Sequence, residues 1–195
     1  MEIIVNAIEL IISFDEDLYE IIFLSLKIST VALLFSIIIG VPVSALVATN
    51  NFYGKKFIKI LFNSLMALPP VFVGLTLYII FSKSGPLGFF NLLYTPSIMI
   101  IAQIVIILPI IISINSENLE QIYNEYEDLF RVLNAKTKHK IFTILWDARF
   151  SMLTCILVGL GRALSEVGAI IIVGGNIIHY TRVMTTTIAL ETSKG

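Results

Sequence analysis

The side chains best able to do chemistry gather in one apolar stretch near the end of the chain: Gly159, Gly161, Arg162, Ser165, Glu166 and Gly168. An ionised group at the centre of a membrane span costs roughly 2.5–3.5 kcal/mol on insertion scales, so Arg162 and Glu166 must face protein or water. At i and i+4 they share a helical face and can pair. Three readings stay open: an ion pair that orients a helix bundle, an Arg162 that favours an anion in a water-filled path, and a proton relay through Glu166. The glycines let a second helix approach closely. Further on come His179, Tyr180, Arg182 and the run Thr185-Thr186-Thr187, where hydroxyls and an arginine can meet an oxyanion. His139 and His179 have no metal-ligand spacing, which predicts no metal site. Cys155 lies in an apolar run and reads as a core residue.

A second constellation lies in the polar segment 117–149. Leu119, Ile122, Tyr123, Tyr126, Leu129, Phe130 and Leu133 recur at helical spacing, while Glu120, Glu127, Asp128 and Arg131 fall off that stripe. Asn134 follows, a residue suited to a left-handed helix stop. Ile141, Phe142 and Leu145 form a second short stripe. Such a helix–turn–helix either packs on the chain's own helix ends or offers its apolar face to a partner groove. The sequence holds no G-x-x-x-x-G-K-[ST] loop, so any ATP that drives this protein is hydrolysed elsewhere.

These groups need a frame, and composition names it. Of 195 residues, 57% are hydrophobic and 14% charged, with a mean hydropathy of +0.93. A soluble domain carries about 25% charged residues. The chain is therefore an all-α integral membrane protein, and its net charge of −1 gives no reason to expect a nucleic-acid partner. Four spans are predicted, at about residues 28–49, 60–82, 96–114 and 150–174. Pro69-Pro70 should kink or unwind the second. Lys55, Lys56, Lys59, Arg131, Lys136, Lys138, Lys140 and Arg149 belong on the cytoplasmic side, whereas the first 20 residues hold six acids and no base. The N-terminus is therefore expected outside. Residues 1–19 read as an external amphipathic segment, with Ile4, Ile8 and Ile11 opposite Glu2, Asn6, Glu9 and Ser13. The membrane domain follows from 20 to 195, with four spans that start and end outside.

The stretch from Gly161-Arg162-Ala163-Leu164-Ser165-Glu166-Val167-Gly168-Ala169 through Val173-Gly174-Gly175-Asn176 resembles the membrane subunit of molybdate and tungstate ABC importers. Leu68-Pro69-Pro70-Val71-Phe72-Val73-Gly74-Leu75, Ser84-Gly85-Pro86-Leu87-Gly88 and the tail from Tyr180 to Gly195 resemble the tungstate branch. The resemblance implies a type I ABC importer fold: a homodimer of permeases in membrane lipid, cytoplasmic ATPase subunits that hold ATP and Mg, and an external tungstate-binding protein. It implies no cofactor in this chain and a place in the cytoplasmic membrane. ATPase coupling falls to Tyr126, Asp128, Leu129, Phe130, Leu133 and Asn134. Asp128, Leu129 and Phe130 take the places of the superfamily's Glu-Ala-Ala, and Asn134 that of its glycine. Arg162, Ser165 and Glu166 are the candidates for the translocation path. Similar permeases continue past Gly195 with one more helix, so the final span is expected to be missing. Rival readings are a permease for molybdate or sulfate, an ion-coupled carrier using Glu166, and an inactive truncated scaffold.

Overall fold

The computed structural model describes residues 15–194, and the expected amphipathic pattern of residues 1–13 lies outside them. Helices and turns account for the described residues, and no strand occurs among them. Helix α1 (Glu16–Thr49) starts where the Asp15 carboxylate accepts the Leu18 N–H at 2.9 Å, an N-cap with Glu16 and Asp17 in the first turn. The expected first span lies inside it, and the helix carries Pro42 without breaking. Helix α2 (Lys55–Met66) follows Gly54, whose φ of 95° few other residues would adopt.

The expected second span is not one helix. The chain breaks after α2 and restarts as α3 (Pro70–Phe81). Proline excludes the α region for the residue before it and suits the first position of a helix, so Pro69-Pro70 ends one helix and begins the next. Each piece has 12 residues, about 18 Å of helix against a bilayer core of about 30 Å. After α3 the chain folds back through Ser84–Gly88, with the Leu87 N–H donating to Ile80 O at 3.0 Å. A Cβ at Gly85 would lie 2.1 Å from Ile79 O, so only glycine fits there.

Helix α4 (Pro96–Val132), 37 residues long, contains the expected third span and continues well beyond it. It is followed by α5 (Thr137–Asp147), α6 (Arg149–Leu164), α7 (Gly168–Gly174) and α8 (Met184–Lys194). The expected fourth span is thus also interrupted, at Ser165–Val167, where no proline acts. Among the described residues, α1 and α4 alone are long and apolar enough to cross a membrane, and crossings number up to four if the bent pairs α2–α3 and α5–α6 each count as one.

The described residues form two compact units. One comprises 15–31, 70–103 and 164–194, with Val73, Ile98, Met99, Ile170 and Val173 in its core. Within it α3 and α7 meet at glycine: a Cβ on Gly74 would come 2.8 Å from the Ala169 Cα. The other comprises 32–69 and 104–163, with Ile107, Ile111, Leu119 and Ile144 buried, and Cys155 among them.

Candidate functional site

The corner between α4 and α5 is built by its backbone first. Asn134 adopts φ 46°, the Asn134 N–H donates to Arg131 O at 3.2 Å, and the Ala135 N–H donates to Phe130 O at 3.0 Å. This pairing is a Schellman stop, in which the left-handed residue satisfies carbonyls that the helix end leaves open. Asparagine tolerates that conformation better than any residue but glycine, and so it can stand where the superfamily pattern has glycine.

The apolar stripe of α4 then divides in two. Leu119 and Phe130 are buried with Ala45, Ala48, Ile144 and Ala148, and Ile122, Tyr123 and Tyr126 pack against that group. The Phe130 ring lies 6.0 Å from that of Tyr123 and 5.7 Å from that of Tyr126, with Lys140 Nζ 5.9 Å from its centroid. The Tyr126 phenol hydrogen-bonds Asp147, whose carboxylate raises its pKa above the ordinary value. Leu129, Val132 and Leu133 remain at 50%, 82% and 66% exposure, and Asp128 points outward at 95%. Of the six residues expected to couple to an ATPase, Phe130 and Tyr126 therefore hold the corner together. Leu129 and Leu133 present an open apolar tip, flanked by Asp128 and Asn134.

Sequence patterning missed what braces this corner. The Glu120 carboxylate pairs with Lys55 at 2.9 Å and Lys59 at 2.5 Å, joining α2 to α4. One turn back, Asn63 donates to Glu117 at 3.4 Å and Ser113 hydrogen-bonds Asn63. Partial burial works against ionisation of Glu120, but the two lysines outweigh it and hold its pKa below the ordinary value. The available signal was an acid off the apolar stripe and a lysine cluster 61 residues earlier, and nothing in the spacing links them.

The second candidate region is the break between α6 and α7. Arg162 sits in the last turn of α6, half-buried. Since α6 ends at Leu164, the continuous helical face expected to carry both Arg162 and Glu166 does not exist. Glu166 is buried at 4% exposure, and its Oε1 accepts the Ala169 N–H at 3.0 Å, closing the start of α7. Ser165 is exposed. Thr185 donates to Glu166 O at 2.8 Å, Thr186 donates to the Asn176 amide oxygen at 2.9 Å and Thr187 donates to Val183 O at 2.9 Å. The threonine run thus ties α8 to the segment before it, and these hydroxyls are spent on internal bonds.

A third group had been discounted on spacing. His179, with φ 59°, places Nδ1 3.8 Å from Asp17 and 2.7 Å from Glu20, the latter 159 residues away in sequence. Its hydrogen bond to Glu20 raises the imidazole pKa, against opposing contributions from partial desolvation and Arg182.

Long apolar helices, interrupted spans and a helical corner with an open apolar tip define a polytopic membrane subunit of transporter type. The family of binding-protein-dependent transport system inner membrane components matches residues 40–193. The tungstate uptake system permease protein TupB of Peptoclostridium acidaminophilum is 38% identical over 189 residues, 97% of this chain and 83% of that protein. A probable anion ABC transporter permease of Haloferax volcanii is 36% identical over 176 residues, 88% of this chain and 76% of that protein. The molybdenum transport system permease protein ModB of Haemophilus influenzae is 28% identical over 167 residues, 82% and 73% of the two chains. The chain belongs to the binding-protein-dependent ABC permeases, membrane subunits with the type I fold that are not themselves enzymes. Membership implies an ATPase and a binding protein as partners.

Proposed function

We propose that this chain is the permease subunit of an ATP-driven importer that carries tungstate across the cytoplasmic membrane. The observation that carries the reading is its 38% identity, over 97% of its length, to a tungstate uptake permease. ATP and Mg reside on a separate ATPase, and an external binding protein delivers the anion. The chain's basic loops face the cytoplasm and its N-terminus faces outward. Two copies form the pathway in the lipid bilayer.

The α4–α5 corner supplies the mechanical contact. Its interior, Phe130 and Tyr126, makes it rigid, and its tip, Leu129 and Leu133, fills an apolar groove on the ATPase. Closure of the ATPases on ATP moves the corner, and the long helix α4 transmits that movement to its spanning part as rigid-body alternating access. Arg162 supplies favourable charge to a dianionic oxyanion on the path, for which Ser165 and Glu166 are the other candidate residues. Molybdate is the second reading, favoured by the likeness to a molybdenum permease. Both ions are tetrahedral dianions, so the binding protein decides between them.

The test is ATP hydrolysis in liposomes holding this chain, its ATPase and its binding protein. Tungstate should stimulate hydrolysis, and a Leu129→Ala/Leu133→Ala variant should abolish the stimulation. An ATPase that never associates with the unaltered chain would sink the reading; stimulation by molybdate alone would reassign the cargo.

A further inference from the structure

We infer that Asp17, Glu20 and His179 form a site for one first-row divalent cation, of which zinc is the type, pinning the segment after α7 to the first turns of α1. Each residue offers one ligand atom, and these atoms lie within 4.8 Å of one another. Tetrahedral zinc with bonds of 2.0–2.1 Å sets its ligand atoms about 3.3 Å apart. The two distances from His179 Nδ1, 2.7 Å to Glu20 and 3.8 Å to Asp17, bracket that value. Small rotamer adjustments of exposed side chains close the difference. Asp17 and Glu20, three apart on α1, project from one helical face, and one imidazole nitrogen completes a donor set suited to zinc.

Two further observations concern the space beside these groups. A cavity of about 50 Å³ is lined by Asp17, Glu20, His179, Tyr180 and Arg182, with apolar walls from Ile21, Leu24 and Ile178. That is room for the water that completes a three-ligand zinc site. Arg182 is the opposing charge in this cluster, and its Nε is buried with no hydrogen-bond partner. A metal-bound water or hydroxide in the cavity is the acceptor that this N–H lacks. With the cation in place, two carboxylates balance its double charge and Arg182 addresses the ligand on its open side.

The experiment is a zinc titration, by calorimetry, of the full chain in detergent micelles without a polyhistidine tag. One saturable zinc per chain is expected. His179→Asn, which tolerates the left-handed backbone and removes the imidazole, should weaken binding at least tenfold, the lower end of the loss seen when even an outer partner of a metal ligand is removed. Asp17→Asn/Glu20→Gln should do the same and decides the matter if the histidine variant does not fold. His139→Ala should bind as the unaltered chain does. Absence of saturable binding overturns the site, as does binding that survives both altered sets or depends on His139.

Discussion

The division of labour inside the α4–α5 corner can be tested by pulling apart two neighbouring residues. Phe130 is 5% exposed, sits between Tyr123 and Tyr126, and carries the Lys140 ammonium near its ring. Truncating a buried phenylalanine to alanine costs about 3–5 kcal/mol, the spread depending on how far the site collapses. Ring pairing contributes about 0.5–1.5 kcal/mol of such a loss. Ala45, Ala48 and Ala148 are small walls of this pocket that cannot fill the void, although Leu119, Ile144 and the two tyrosines stand in the same group. The expectation is a loss within that range. Leu129 and Leu133 are 50% and 66% exposed, so their removal leaves no cavity and should change stability by no more than about 0.5 kcal/mol. Their exposed surface together equals about one full leucine side chain, whose burial is worth about 1.5–3 kcal/mol. Binding to the ATPase should then weaken roughly tenfold to a hundredfold.

The assay pairs thermal unfolding in detergent and hydrogen exchange at the Asn134 and Ala135 amides with an affinity measurement against the ATPase. Phe130→Ala should lower the melting temperature and speed exchange at both amides. Leu129→Ala/Leu133→Ala should leave both as they were and weaken only the association. A Phe130→Ala chain of unchanged stability, or a leucine pair that unfolds the corner, would refute the assignment of interior and tip.

Further expectations follow from the same geometry. Glu120 has a depressed pKa in the folded chain, so its brace is fully present above the unfolded carboxylate pKa and lost as pH falls through the folded one. Glu120→Gln should therefore flatten the acid limb of the stability–pH curve, with a cost near neutrality of about 1 kcal/mol for these partly exposed pairs. Asn134→Gly should keep the corner's stability, whereas Asn134→Val should lose about 1–2 kcal/mol by forcing a β-branched residue into a left-handed backbone; thermal unfolding compares them. Gly74→Ala should destabilise more than Gly168→Ala, because the first new Cβ meets the Ala169 backbone and the second meets the movable Val71 side chain. Glu166→Gln keeps an oxygen for the Ala169 N–H, so the chain should still fold, as thermal unfolding reads it; tungstate transport by the unaltered chain without any ATPase, lost in this variant, would favour an ion-coupled carrier.

Local chemistry was legible where one stretch of sequence decides the outcome. The long apolar runs inside α1 and α4, the proline pair between α2 and α3 and the asparagine stop at 134 each act through their own backbone. The apolar stripe of α4 was legible as a stripe but not as two functions. Leu129 and Phe130 are adjacent and equally apolar, and the arrival of α1 with Ala45 and Ala48 and of α5 with Ile144 decides which is buried. The break at Ser165–Val167 was hidden for a related reason. The glycines and the polar pair were visible, but they read as an uninterrupted span with a shared face for Arg162 and Glu166. Two features accompany the break: Gly74 admits the Ala169 backbone, a tertiary contact, and Glu166 spends its carboxylate locally on the start of α7.

The same distinction separates the groups that spacing overlooked. Glu120 with its two lysines and His179 with its two acids are each assembled from distant parts of the chain, so no motif window contains either set. The first joins two helices that are not consecutive in sequence, and the second joins the turn after α7 to α1. Glu120 fixes α2 to the part of α4 that leads into the corner, which places the brace immediately behind the proposed contact. If the corner transmits force as proposed, it must resist bending at its base as well as at its tip. Phe130 supplies that resistance by packing and Glu120 by charge, and the two differ in how they fail. Packing at Phe130 is insensitive to salt, whereas the Glu120 pairs, a quarter exposed, are screened by it. Coupling that weakens in high salt while the melting transition holds would therefore trace to the brace rather than to the packed interior.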